Sequence, residues 1–156
     1  MSDQTEIGRV KQEGLGPILP PAKWDVLIDL DHSPDDVWRR IIGVVERIIL
    51  YDYDSWPEDD YWREVLPRWL ISFMMTAAEA DEAMARTPRE QWGKLPWEFG
   101  SWLDAMRERD WKWWGYERSG NEVRLVLEIT GIPPRIDAFK QILLASGATI
   151  LSEDYD

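Results

Sequence analysis

Apolar and polar positions alternate most sharply in the last third of the chain. Val123, Leu125, Leu127 and Ile129 interleave with Arg124, Val126, Glu128 and Thr130, the period-two signature of a strand with one buried face. Residues 111–118 read as its partner strand, and the intervening Ser119-Gly120-Asn121 is a hairpin turn signature. Upstream, residues 24–30 alternate well enough to predict a short strand. Downstream, Pro133-Pro134 opens a helix carrying Ile136, Phe139, Ile142 and Leu143, and Gly147 ends it. Residues 148–151 then form a last short strand, followed by the acidic tail 152–156. Strand, helix, strand predicts a right-handed crossover that sets the last strand parallel to the second hairpin strand.

The middle of the chain has a helical period. Ser33-Pro34-Asp35-Asp36 places an N-cap hydroxyl, a proline at the first helical position and acids at the positive end of the dipole. Behind it Val37, Trp38, Ile41, Ile42, Val45, Ile48 and Ile49 form a wide apolar stripe opposite Arg39, Arg40, Glu46 and Arg47. A second helix starts near Pro57 and keeps its spacing through Trp62, Val65, Leu66, Trp69, Leu70, Phe73, Met74 and Ala77 to about Met84. Pro67 kinks or divides it near Leu66. Residues 87–96 read as a loop and residues 97–109 as a third helix.

These elements predict one α+β domain over residues 23–156, with about four helices packed on a small mixed sheet, after a loose N-terminal arm at 1–22. A chain of 156 residues buries roughly two-thirds of the surface that it exposes unfolded. Eleven Trp residues change the picture, because most must be core, while a few can serve a recognition surface. Charge changes it again: 18 basic against 30 acidic side chains, net −12, repel nucleic acid and anionic membrane and attract basic proteins and cations. With no Cys there is no disulfide and no thiol chemistry. The first residues lack a secretory pattern and no run reaches a membrane-spanning length, so the chain reads as cytoplasmic.

Catalytic patterns are few, and the chain is expected not to be an enzyme and to need no cofactor. His32 is the single histidine, flanked by Asp29, Asp31, Asp35 and Asp36. That group either holds a divalent metal or consists of helix-opening acids beside a turn, and the second reading assigns no metal ligand. Gly14-Leu15-Gly16-Pro17 lacks the Lys-Ser/Thr of a phosphate loop and reads as a turn.

Two segments stand out. The first packs Asp52, Asp54, Glu58, Asp59 and Asp60 among Tyr51, Tyr53, Trp56, Tyr61 and Trp62. Carboxylates beside flat rings imitate phosphates and bases, and they also suit Arg and Lys recognition through charge-assisted hydrogen bonds and cation–π contacts. Alternatively the rings fold back while the acids open a helix. The second segment is Trp111-Lys112-Trp113-Trp114-Gly115-Tyr116. A two-residue turn sets Trp114 and Tyr116 on the face of Val123, Leu125 and Leu127, leaving Trp111 and Trp113 on the other, amphipathic face for a helix, a partner or a ligand; a three-residue turn reverses this.

The stretches Trp113-Trp114-Gly115-Tyr116-Glu117, Val123 to Ile129, Ala138-Phe139-Lys140 and Ala145-Ser146-Gly147-Ala148 resemble the C-terminal region of small bacterial immunity proteins, which neutralise toxins delivered between competing cells. The resemblance covers the last third and rests on hairpin, helix and strand texture. It implies a cytoplasmic inhibitor with an acidic surface for one basic cognate toxin, and it transfers no binding residues. Ser33-Pro34-Asp35-Asp36-Val37-Trp38 resembles a helix start in the START-like ligand-binding fold, which continues as a strand meander where this chain continues as helices. The leading expectation is therefore a stoichiometric inhibitor that binds through Asp52, Asp54, Trp56, Glu58, Asp59 and Asp60, with Trp111 and Trp113 as further contacts. Two others stay open: a small-ligand domain with a Trp-lined pocket between hairpin and helices, and a metal-dependent hydrolase centred on Asp29, Asp31, His32 and Asp36.

Overall fold

The computed structural model describes residues 5–132 and 135–155. Its strands are β1 (Lys23–Asp29), β2 (Trp111–Ser119), β3 (Glu122–Ile129) and β4 (Thr149–Tyr155), joined in one sheet of order β2-β3-β1-β4. Alternation decides the faces. Trp24, Val26 and Ile28 of β1 and Val123, Leu125 and Leu127 of β3 turn inward and are fully buried. Every neighbouring pair is antiparallel, so the sheet is not mixed as expected. The crossover does set β4 in the direction of β3, but β1 lies between them and pairs antiparallel with both.

The helical segments are α1 (Glu6–Lys11), α2 (Pro34–Ile49), α3 (Asp59–Val65), α4 (Arg68–Ile71), α5 (Ala77–Arg86), α6 (Phe99–Arg107) and α7 (Asp137–Ser146). The mixed helical and stranded content is that of an α+β fold, with more and shorter helices than the four expected. The helix read over 57–84 is divided at Pro67 and again at residues 72–76. There the Thr76 hydroxyl accepts from the Glu79 amide while Glu79 accepts from the Thr76 amide, a capping box that starts α5 afresh. The expected loop at 87–96 holds a short 3₁₀ helix, Arg89–Lys94. Pro133-Pro134, read as the opening of α7, lies outside the described residues; α7 ends at Gly147 with φ 104°.

The core lies between the sheet and the helices. α2 buries Val37, Trp38, Ile41, Val44, Val45 and Ile48, and α7 buries Phe139, Ile142 and Leu143. The Phe139 ring stands edge-on to Trp24 at 5.9 Å and Trp111 at 4.9 Å, and the Trp102 indole N–H donates to the Ala138 carbonyl at 2.8 Å. These contacts fix α6 and α7 against the sheet. Among the described residues no helix is long and apolar enough to cross a membrane.

Two extended segments differ from expectation. The acidic tail is the second half of β4: Glu153 pairs with Val26 and accepts from the Trp24 indole N–H at 3.0 Å and from Lys140 at 2.8 Å. From residue 5 onward the arm is docked and contains α1. Glu6 takes a bidentate ion pair from Arg109 at 2.7 and 2.8 Å and accepts from the Trp113 amide at 2.7 Å. Further along, the Gly14 amide donates to the Tyr116 carbonyl at 2.7 Å and extends the β2 edge.

Candidate functional site

The acidic segment joins α2 to α3, and its rings hold it in shape. Tyr51 stands edge-on to Trp56, Tyr61 and Trp62, and Trp56 lies 4.6 Å from the wholly buried Trp62. The Tyr51 and Tyr61 hydroxyls are 2.9 Å apart, and that hydrogen bond raises the Tyr51 phenol above its usual range. Packing dominates here, since among the described residues the Trp62 indole N–H has no acceptor. Tyr53 sits outside the cluster, half exposed, with the Arg107 guanidinium 4.2 Å over its ring and donating to its carbonyl at 3.0 Å.

The carboxylates point the other way. Asp54, Glu58, Asp59 and Asp60 are exposed, and among the described residues only Asp60 of these pairs with a cation, Arg63 at 3.6 Å. Asp52 shapes the turn instead. Its Oδ1 accepts from the Ser55 hydroxyl at 2.8 Å and amide at 2.9 Å, which holds the carboxyl below its usual range. Asp59 and Asp60 fall in the first turn of α3, where the helix dipole favours them. The rings therefore fold back and the acids open a helix, as the second reading expects, and the carboxylates stay exposed. Trp56 is half-buried at the base of this surface.

The hairpin segment does not join it. The turn is the two-residue one, with Ser119 opposite Glu122 and Gly120 at φ 62°, and Tyr116 faces Leu125 as expected. A β-bulge at Trp114 then shifts the register by one, so Trp113 pairs with Leu127 and Trp111 with Ile129. Trp111 and Trp113 turn inward and are 1% and 0% exposed. They are core residues, which corrects their assignment as partner contacts. Trp114 is the extra residue; its indole N–H donates to the Leu15 carbonyl at 2.8 Å, and the Arg9 guanidinium lies 4.2 Å over the ring. The bulge is tied to the arm at Gly115, where a Cβ would lie 2.3 Å from the Gly14 carbonyl oxygen. No signal in residues 111–116 alone reveals it.

The turn around His32 has other uses for its acids. Asp29 accepts from the Asp31 amide at 2.9 Å, and Asp31, at φ 60°, accepts from the Thr149 hydroxyl at 2.9 Å. Asp36 pairs with Arg39 and Asp35 with Arg118. Among the described residues no group of three or more His, Asp or Glu is arranged to hold a metal. Between hairpin and helices the rings pack closely, Trp38 on Tyr116 at 4.7 Å and 6.1 Å from Trp113, and an open cleft of about 490 Å³ lies beside them, lined by Trp38, Ile42, Tyr116 and Arg118. Clefts lie outside the core, one of them between α2 and the α3–α4 bend. No protein-family model, curated protein or solved structure matches the chain.

Proposed function

We propose that the chain is a stoichiometric, non-catalytic inhibitor of the immunity type, acting in the cytoplasm on a basic cognate toxin or effector. Its contact surface is the acidic segment. Asp54, Glu58, Asp59 and Asp60 meet the partner's Lys and Arg side chains, Asp52 shapes the turn that presents them, and Trp56 supplies apolar contact at their base. One observation carries the reading: an ordered aromatic cluster turns these acids outward, and among the described residues only Asp60 has a cation beside it. Such a surface is preorganised, so little ordering cost is left for binding. The net charge of −12 adds long-range steering toward a basic partner.

The test is the double charge reversal Asp59→Lys with Asp60→Lys, measured by surface plasmon resonance on the captured partner. Each lost rim charge mainly slows association, so the association rate should fall by about tenfold at low salt and its salt dependence should flatten. An unchanged affinity and salt slope would remove the segment from the interface.

A further inference from the structure

The cleft between α2 and the α3–α4 bend has the opposite character from the acidic segment. Asp36, Arg39, Arg40, Gly43 and Arg47 lie on one stripe of α2, a span of about 16 Å along its axis. Val65, Pro67 and Trp69 form the facing wall, and the space between is about 480 Å³, the size of a small-ligand site. Three arginines here face a single lining carboxylate, in a chain where acids outnumber bases 30 to 18. Asp36 occupies Arg39 at 2.8 Å. Arg40 is steadied without a carboxylate: it donates to the Ser146 carbonyl at 3.2 Å, and its guanidinium stands 5.8 Å from the Trp69 ring centre. Arg47 is exposed and in no ion pair among the described residues.

Gly43 sharpens the reading. A glycine inside a helix costs about 1 kcal/mol relative to alanine, so a packing reason is expected for it. None is present: a Cβ at position 43 would meet nothing within 4 Å. Lacking a side chain, the exposed Gly43, which lines this cleft and the one beside Trp38 and Tyr116, leaves α2 open between Arg39, Arg40 and Arg47.

The geometry points to a binding site for a small oxyanion carried on a flat ring, an aryl phosphate or an aromatic carboxylate. Arg40 and Arg47 take the anion through their planar N–H forks, and the ring lies on Trp69 with Val44, Val65 and Pro67 around it. A long polyanion is disfavoured, because α2 runs directly into the Asp52–Asp60 carboxylates at one end and carries Asp35 and Asp36 at the other. This site is separate from the proposed partner surface and stands or falls without it.

Isothermal titration calorimetry with phenyl phosphate, benzoate and inorganic phosphate at matched ionic strength tests it. A phosphate source predicts that phenyl phosphate binds one-to-one and tightest, a carboxylate source that benzoate does. In either case the ring compound should exceed inorganic phosphate by about tenfold, the worth of one cation–π or stacking contact. Gly43→Glu places a carboxylate in the cleft at a position where a side chain is tolerated, and should abolish binding with an unchanged circular dichroism spectrum. Arg47→Gln should weaken it by about tenfold, the loss of one charge-assisted hydrogen bond. Asp59→Lys with Asp60→Lys should not weaken it. Absence of saturable binding by any of the three anions, or equal binding to wild type and Gly43→Glu, would overturn the assignment.

Discussion

The segments 51–62 and 111–116 are both dense in aromatic rings, yet one sets a row of carboxylates in solvent and the other buries Trp111 and Trp113 in the core. In the first, rings close on rings a few residues away: Tyr51 on Trp56, Tyr61 and Trp62. The cluster completes itself locally, and the carboxylates between the rings remain outside. In the second, the rings close on distant elements, Trp111 on Phe139 and Trp113 toward Trp38, and the arm fixes the strand through Glu6 and Gly14. A locally closed aromatic cluster leaves its polar neighbours free for recognition. A strand of aromatics closed over long range belongs to the core.

Substitutions can break this comparison at its strongest point first. Trp113→Ala removes a wholly buried indole and should lower stability by about 3–5 kcal/mol in urea unfolding, whereas Trp56→Ala at a half-buried position should cost about half as much. Equal losses would erase the distinction between the two segments. Glu6→Ala leaves the Trp113 amide without its acceptor and Arg109 with the Trp111 carbonyl alone; it should cost about 1–3 kcal/mol and make the arm susceptible to limited proteolysis. Resistance as in wild type would mean that the arm is held by something other than Glu6. Asp52→Asn should have the smallest effect. The folded Asp52 carboxyl titrates below its free value of 3.8, so its contribution is full above that pH and is lost as pH falls through the lower folded value. The stability difference between wild type and variant should therefore shrink on acidification below that point, and a difference that grows there would contradict the turn geometry.

Local signals in the sequence were reliable where the structure is locally determined. Pro34 begins α2, although the Ser33 hydroxyl makes no capping hydrogen bond, Pro67 divides the next helix, and Gly120-Asn121 closes the hairpin in the expected register at Tyr116 and Leu125. The start of α5 was also legible, since Thr76 and Glu79 have capping-box spacing, but the apolar period running through Phe73 and Ala77 masks it. What sequence did not reveal depends on distance. The bulge at Trp114 is set by the close approach of Gly14 to Gly115, about a hundred residues apart in the chain, and it reverses the faces of Trp111 and Trp113. The aperiodic arm is ordered by contacts with distant residues, Glu6 with Arg109, Gly14 with Tyr116 and Leu15 with Trp114. The second half of β4 reads as a tail because an exposed edge strand needs no alternation; it is defined by its hydrogen bonds to β1. In the acidic segment, composition alone marked the residues, and only the ring geometry separates Asp52, which shapes the turn, from the acids that face solvent.

The measurement that bears most directly on the proposed inhibitor is capture from the source cells with tagged wild-type protein and with the Asp59→Lys, Asp60→Lys variant, at low and at high salt, with bound proteins identified and quantified by mass spectrometry. The account predicts one basic protein in about one-to-one ratio on the wild type, loosened by salt and depleted on the variant. No specific basic protein at either salt, or equal recovery on both baits, would contradict it.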